Sequence, residues 1–306
     1  MKKIFSLLLL LFALVSCNNV KKEIKIITPQ GAPLLSQIKM IDDNKEIDGY
    51  KLNINVVNGQ DPIKSAFSTS SHDIIVSPIN LGVALSKKQE NFNYKLLSVI
   101  TMGNIYLAST TKIEQFSDLK GKNVISFGEN SINDLVVKEI FKHHELYINP
   151  TYLGNTNLTA TQLVSNTVEN NVYVVAEPSL SAAKLKMNKQ VYTLDITKEF
   201  KNITNLDFYQ AAVFIHKNLD KQFVNDYAIE YENSVKYANE NTEEFSKICQ
   251  KYSDYGVPSA EVLQLAISSS KLCFETNYRD NLQKLNSKFP MSFGGASEID
   301  EKLFYY

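Results

Sequence analysis

Residues 94–110 read Tyr-Lys-Leu-Leu-Ser-Val-Ile-Thr-Met-Gly-Asn-Ile-Tyr-Leu-Ala-Ser-Thr. The apolar run that begins at Tyr94 suits a strand buried on both faces, and so does its continuation Ile105–Ala108. Between them stand Thr101-Met102-Gly103-Asn104. A buried strand that breaks at small and polar residues and then resumes reads as chain passing from one lobe into another. A second stretch of the same kind, Phe208–His216, reads as the return.

Toward the amino terminus the pattern alternates. Glu23–Thr28 reads as a strand, and Pro29-Gln30-Gly31-Ala32-Pro33 turns into a helix with Leu34, Leu35, Ile38 and Ile41 on one face. Tyr50–Val57 sets Leu52, Ile54 and Val56 against Lys51, Asn53 and Asn55, the two-residue period of a strand. Asp61-Pro62 offers an N-cap and a proline at the first helical position of a helix through Phe67. His72–Val76 is a third strand, ending in Ser77-Pro78-Ile79-Asn80. This β-α-β-α-β order predicts a parallel sheet covered by helices.

The segment between the two crossings repeats the construction. Ser117–Lys122 leads into a strand at Asn123–Phe127, the turn Gly128-Glu129-Asn130-Ser131, and a helix with Ile132, Leu135, Val136 and Ile140 inward. A short strand at Thr151–Leu153, a helix around Thr161–Val168 and a strand at Val172–Ala176 follow. Then come Glu177-Pro178, a helix through Lys186, and a strand at Val191–Leu194. After the return the chain is helical: Phe223, Tyr227, Tyr231 and Val235 recur every four residues, and Tyr227, Tyr231 and Tyr237 read as a packing face. Asn241-Thr242-Glu243-Glu244 has the form of a capping box. Pro258–Ser268, a short strand at Leu272–Phe274, and Thr276–Lys288 complete the pattern.

The first residues are different in kind. Met1-Lys2-Lys3 precede an apolar stretch from Ile4 to Val15, then Ser16-Cys17-Asn18-Asn19. That is a charged, then apolar, then small-residue order, as in a secretory signal. The stretch is shorter than the roughly 20 residues a membrane-crossing helix needs. Leu14-Val15-Ser16-Cys17 resembles a bacterial lipobox, which implies cleavage of residues 1–16, acyl chains such as palmitate on Cys17, and a tether over residues 17–22.

Lys and Arg number 32 against 33 Asp and Glu in 306 residues, with both signs interspersed. No basic face suited to nucleic acid is expected from such a distribution. Arg279 is the sole arginine, so a bidentate clamp on a carboxylate or phosphate has one candidate in the chain. With Cys17 lipidated, Cys249 and Cys273 remain, and both are expected as free thiols. His72, His143, His144 and His216 stand without an H-E-x-x-H, G-x-S-x-G or Cys-His arrangement, so neither an enzyme nor a metal site is expected.

Taken together, Thr28–Pro33, Asp73–Val76, Asp118–Val124, Ala176-Glu177-Pro178, Ala211–Ile215 and the tail Ser292-Phe293-Gly294-Gly295 with Phe304-Tyr305-Tyr306 resemble the solute-binding lipoproteins of bacterial ABC importers, of the nitrate, sulfonate and thiamine-pyrimidine-precursor type. The chain departs from them at Val168–Tyr173, where relatives often carry a glycine and an aspartate. The resemblance implies an α/β, two-lobed periplasmic-binding-protein type II fold, each lobe a mainly parallel sheet flanked by helices, joined by a two-stranded hinge. It places residues 23–102 and 212–306 in one lobe and 103–211 in the other. It implies a membrane-anchored protein on the extracytoplasmic face of a bacterial cell, with a permease as partner and no cofactor.

Ligands of open parallel sheets sit beyond the carboxyl ends of the strands, where helix amino-termini offer free N–H groups. The expected ligand-binding residues are therefore Gln30, Gly31, Ala32, Ser77, Ile79 and Asn80 from the first lobe. The crossings add Thr101, Asn104 and Gln210, and the second lobe Asn130, Ser131, Asn155 and Glu177. For several of these, helix capping is an equal alternative, and Glu177 suits its own helix start better. The Gln/Asn/Ser inventory fits a neutral, pyrimidine- or vitamin-precursor-like solute better than nitrate. A lipid-anchored scaffold or adhesion protein is the competing function.

Overall fold

The computed structural model describes residues 22–43 and 46–306. The expected signal segment, Cys17 and the tether through Lys21 lie outside the described residues. Lys22 already belongs to the first strand, opposite Tyr50.

Two sheets form the frame. In the first, β1 (Lys22–Pro29), β2 (Tyr50–Val57), β3 (Ile74–Pro78) and β4 (Tyr94–Met102) are joined by β10 (Tyr209–His216) and β11 (Leu272–Glu275), in the order β11-β4-β10-β3-β1-β2. The second holds β5 (Ile105–Ser109), β6 (Asn123–Phe127), β7 (Thr151–Leu153), β8 (Asn171–Ala176) and β9 (Tyr192–Asp195), in the order β7-β6-β8-β5-β9. β1 pairs in parallel with β2 and β3, and β6 with β7 and β8. β10 runs antiparallel to β3 and β4, and β5 antiparallel to β8 and β9. Each sheet thus receives the strand that has just crossed into it in reverse orientation. A chain leaving one sheet at its carboxyl edge enters the other from that same edge.

Helices α1 (Ala32–Leu35), α2 (Ile38–Asp42), α3 (Asp61–Thr69) and α4 (Ile79–Lys88) link the first strands. The second sheet carries α5 (Ile132–His143), α6 (Thr156–Val164), α7 (Ser179–Lys186) and α8 (Ile196–Thr204). The chain ends in α9 (Lys221–Glu240), α10 (Thr242–Cys249), α11 (Ala260–Ala266) and α12 (Arg279–Lys288), with 3-10 turns at Gln250–Tyr255, Ser268–Ser270, Pro290–Phe293 and Glu301–Leu303. Phe304 returns to the first sheet as an isolated bridge to Leu96.

β10 shows how the period of two builds the core. Ala211, Val213 and Ile215 join the cluster under α9, while Ala212 and Phe214 join the cluster on the opposite face. Burying a side chain such as Phe214 contributes about 1.5–3 kcal/mol, and its ring meets Phe67 edge-on with centroids 5.3 Å apart. The cluster containing Phe214 continues through Ile105, Leu107, Val124, Phe200 and Phe208, so apolar packing runs unbroken from one sheet to the other. Tyr227 and Tyr231 on α9 are fully buried in the other cluster, as their spacing predicts.

Several local expectations are corrected. The helix after Gly31 is two short pieces, because Ser36 Oγ and Gln37 Nε2 both donate to the Pro33 carbonyl and compete with the helical ladder. Gln60, not Asp61, holds the N-cap position of α3. The capping box at Asn241 does not form: Asn241 closes α9 instead, its Nδ2 donating to the Tyr237 carbonyl at 3.3 Å. The helix expected at 161–168 begins at Thr156, and α8 was not anticipated, although Asp195 caps it by accepting from Lys198 N at 2.9 Å.

Candidate functional site

The carboxyl ends of β1, β3, β6, β7 and β8 and the two crossings carry every ligand-binding residue expected from the sequence. Gly31 occupies φ 87°, ψ −147°, a region open essentially only to glycine, and from there its carbonyl accepts from Leu34 and Leu35 N at 3.1 Å. Ala32, buried, opens α1, while Gln30 is exposed and its amide lies against Gly256 at the end of the 250–255 turn. Ser77 and Ile79 are fully buried at the β3–α4 junction, and Asn80 Nδ2 donates to the Ser292 carbonyl at 3.3 Å.

The crossing itself is closely tied. Gly103 N donates to the Phe208 carbonyl at 2.8 Å, and Thr197 Oγ1 donates to the Gly103 carbonyl. Asn104 Nδ2 donates to the Glu177 carbonyl at 3.0 Å while Glu177 N donates back to the Asn104 carbonyl at 3.0 Å. Met102 N reaches the Lys271 carbonyl, and Lys271 Nζ closes on both oxygens of Asp195 at 2.8 and 3.0 Å. From the return crossing, Gln210 Nε2 reaches Asn133 Oδ1 on α5 at 3.4 Å. Thr101 and Asn104 are buried, and Thr101 Oγ1 and Asn104 Oδ1 have no hydrogen-bond partner.

The second-sheet residues double as helix starts. Ser131 Oγ accepts from Asp134 N at 3.4 Å, and Asn130, in a left-handed turn at φ 60°, donates its N–H to Asp134 Oδ2 at 2.9 Å. Asn155 Oδ1 accepts from Leu158 N at 3.0 Å. Glu177 accepts from Ser181 N and Ser181 Oγ, both at 3.0 Å, so it caps its own helix; burial pushes its carboxyl above the ordinary range. The side chains of Asn130 and Asn155 remain exposed at the strand ends.

Sequence reasoning missed four residues that fix this region, Gly103, Phe208, Thr197 and Asn133, and one buried at a strand end, Ser126. Of these, Ser126 sits one position before the end of β6, fully buried and without a partner for its hydroxyl. A hydroxyl at the penultimate position of a strand was the signal available, and it recurs at Thr28, Ser77 and Thr101. The sole arginine plays no part: Arg279 pairs with Glu301 at 2.7 Å near the tail. Cys249 and Cys273 are free, and burial pushes each thiol up to about 12. No group of three or more His, Cys, Asp or Glu able to hold a metal occurs among the described residues. Nor is any described helix long and apolar enough to cross a membrane. A depression of about 330 Å³ bounded by Glu23, Lys51 and Tyr255, and one of about 220 Å³ between α6 and α7, are lined by none of the expected residues.

The fold defined by these two sheets and their paired crossings is that of the periplasmic binding proteins. An ABC transporter protein from Parabacteroides distasonis superposes with a TM-score of 0.77 at 16% identity, covering 93% of this chain and 99% of that one. The periplasmic aliphatic sulphonate binding protein SsuA from Escherichia coli gives 0.71 at 13% identity, covering 93% and 92%. The ligand-binding component of an ABC-type import system from Staphylococcus aureus, solved with zinc bound, gives 0.67 at 17% identity, covering 92% and 98%. No protein-family model matches the sequence, and no curated protein matches it. At these identities the likeness establishes the fold.

Proposed function

We propose that the chain is a lipid-anchored solute-binding protein that captures a small organic molecule between two lobes and delivers it to an ABC importer. The lobes are residues 23–102 with 212–306, and 103–211. One observation carries this reading most: the helix starts of both sheets and the two crossings bring polar groups to the carboxyl ends of the strands, the place where open α/β sheets bind ligands. The structural neighbours named as an ABC transporter, a ligand-binding import component and a sulphonate binding protein support it. Gln30, Gly31, Ala32, Ser77, Ile79 and Asn80 line one wall, Asn130, Ser131, Asn155 and Glu177 the other, and Thr101, Asn104 and Gln210 the floor. Hinge closure about the crossings at 102–104 and 208–210 traps the solute. The ligand is a pyrimidine- or vitamin-precursor-like molecule.

Cys17, acylated after cleavage of residues 1–16, holds the protein on the extracytoplasmic face of a bacterial membrane. A short tether there raises its effective concentration at a permease in the same membrane. The test is thermal denaturation across a broad metabolite library. A solute at a hundredfold excess over its dissociation constant adds about 2.7 kcal/mol and raises Tm. Absence of any shift would favour a scaffold role, and Cys17→Ser appearing in the membrane fraction as abundantly as wild type would remove the anchor.

A further inference from the structure

We infer that the anchored molecule keeps the surface at the amino ends of its first sheet against the lipid headgroups, with the second sheet turned away from the membrane. The inference rests on the reading of Cys17 as an acylated anchor and goes beyond it in fixing which way the molecule faces.

The parallel strands of the first sheet gather their amino ends on one surface. β1 begins at Lys22, opposite Tyr50 at the start of β2, and pairs along its length to Pro29. The neighbouring strand ends are bound into the same surface. Lys25 N donates to Asp73 Oδ2, Asp73 N to the Lys25 carbonyl and His216 N to the Asp73 carbonyl, each at 2.8 Å. Lys217 N donates to the Asn93 carbonyl at 2.8 Å, and the Tyr94 hydroxyl to the His72 carbonyl at 2.7 Å. The opposite edge leads away from it. β4 runs from Tyr94 to Met102, and after Gly103 and Asn104 the second sheet starts with Ile105 beside Ala176. Asn123 and Asn171, paired with each other, stand at the other end of that sheet, where Ser109 Oγ donates to the Asn171 carbonyl at 3.1 Å. At about 3.3 Å per residue, β4 and β5 together measure about 40 Å.

Cys17 and Lys22 are five peptide steps apart. An extended chain covers at most about 3.6 Å per step, so Lys22 stays within about 18 Å of an acylated Cys17. From Lys22 to Pro29, β1 alone measures about 23 Å. Turning the molecule over would raise Lys22 by the length of β1 and by the second sheet beneath it, well beyond that reach. The tether permits tilting and forbids inversion.

The surface suits such a contact. Its exposed charges are mixed, Lys25, Lys217 and Lys221 with Asp48 and Asp220. None of the large apolar side chains exposed among the described residues lies within 48–50, 70–73, 91–93 or 217–221. A polar surface of this kind settles among headgroups and stays out of hydrocarbon. A permease in the same membrane then meets the molecule on its flank, after a tilt about this surface.

The chain has no tryptophan, so a single introduced indole can be excited apart from the tyrosines. The test is energy transfer from such an indole to a dansyl-headgroup lipid, with the acylated protein reconstituted in vesicles of phosphatidylethanolamine and phosphatidylglycerol. Asn218→Trp marks the surface near Lys22 and Asn170→Trp the far end of the second sheet. Ser71→Trp and Lys120→Trp repeat the comparison at independent positions, and all four side chains are exposed. Transfer is expected to be at least threefold more efficient from positions 218 and 71 than from 170 and 120. A Gly-Ser insert of about 20 residues between Asn19 and Val20, with an r.m.s. reach of about 25 Å, should erase most of that difference. Equal transfer from the two ends, or stronger transfer from the second sheet, would overturn the inference. So would a difference that survives the insert. Wild-type protein found by mass spectrometry to carry no acyl chain would overturn the inference and the anchor together, leaving solute capture standing.

Discussion

Gly103→Ala is the sharpest probe of the crossing. An ideal Cβ on Gly103 would stand 2.0 Å from Phe208 Cδ1, 2.6 Å from Phe208 Cε1 and 2.7 Å from Thr197 Oγ1. Unstrained carbon atoms approach to about 3.5–4.0 Å. The Phe208 ring must therefore retreat by about 1.5 Å. It is fully buried and already packs edge-on against the Phe200 ring, with centroids 6.1 Å apart, so it has little freedom to move. Overpacking of this kind costs about 1–3 kcal/mol. The displacement also strains two hydrogen bonds, Gly103 N to the Phe208 carbonyl and Thr197 Oγ1 to the Gly103 carbonyl, each contributing about 0.5–1.5 kcal/mol.

A total loss of up to about 2–6 kcal/mol follows, which at about 2–4 °C per kcal/mol lowers Tm by roughly 4–24 °C. Urea denaturation of wild type, Gly103→Ala, Phe208→Leu and the double variant gives the coupling. Leucine vacates the space the new methyl needs, so the double variant should be more stable than the sum of the two losses by at least about 1 kcal/mol. A single variant within about 0.5 kcal/mol of wild type, or strict additivity in the cycle, would refute this account of the crossing.

Three further outcomes are expected. Gly31→Ala meets no neighbour within 4 Å, yet φ 87° with ψ −147° should cost it about 1–3 kcal/mol, measurable as a lower urea midpoint; an unchanged midpoint argues against backbone strain there. Because burial raises the Glu177 carboxyl in the folded state, its contribution to stability is fully present below the unfolded pKa and is lost as pH rises through the folded value. Glu177→Gln should accordingly compare worst with wild type near pH 4.5 and improve toward pH 8, and a pH-independent difference in Tm would contradict the assigned shift. Cys249 and Cys273, held up to about 12 by burial, should resist iodoacetamide at pH 8 in the folded protein and react in urea, as mass spectrometry would read.

The frame of the fold was legible wherever burial leaves a strong period. Asn123–Phe127 and Thr151–Leu153 are strands over the predicted spans, and the break expected at 101–104 falls between β4 and β5, though β4 runs on through Met102 and leaves only Gly103 and Asn104 outside. What escaped were boundaries settled by single side-chain hydrogen bonds. Ser36 and Gln37 divide one apolar face into two helices, Asn241 serves the helix before it, and Asp195 opens a helix where no element was expected. Such choices depend on which backbone group is left without a partner after the chain has packed, and no periodicity encodes that.

The candidate site divides along the same line. Its positions could be read, because strand ends and helix starts follow from the alternation of elements. Its chemistry could not, because Asn104, Ser131, Asn155 and Glu177 all have side chains that can serve either a helix start or a ligand, and only partners across the fold distinguish the two uses. Glu177 is committed to Ser181, and Asn155 Oδ1 to Leu158 N. Asn104 is half committed: one end ties the crossing to α7 through the Glu177 carbonyl, and the other is left open. Because Asn104 and Glu177 both adjoin paired strands of the second sheet, that bond orders the end of the crossing against α7 while leaving one acceptor without a partner. Loss of its amide should therefore lower the urea midpoint, whereas loss of the Thr101 hydroxyl, which has no partner, should leave it unchanged.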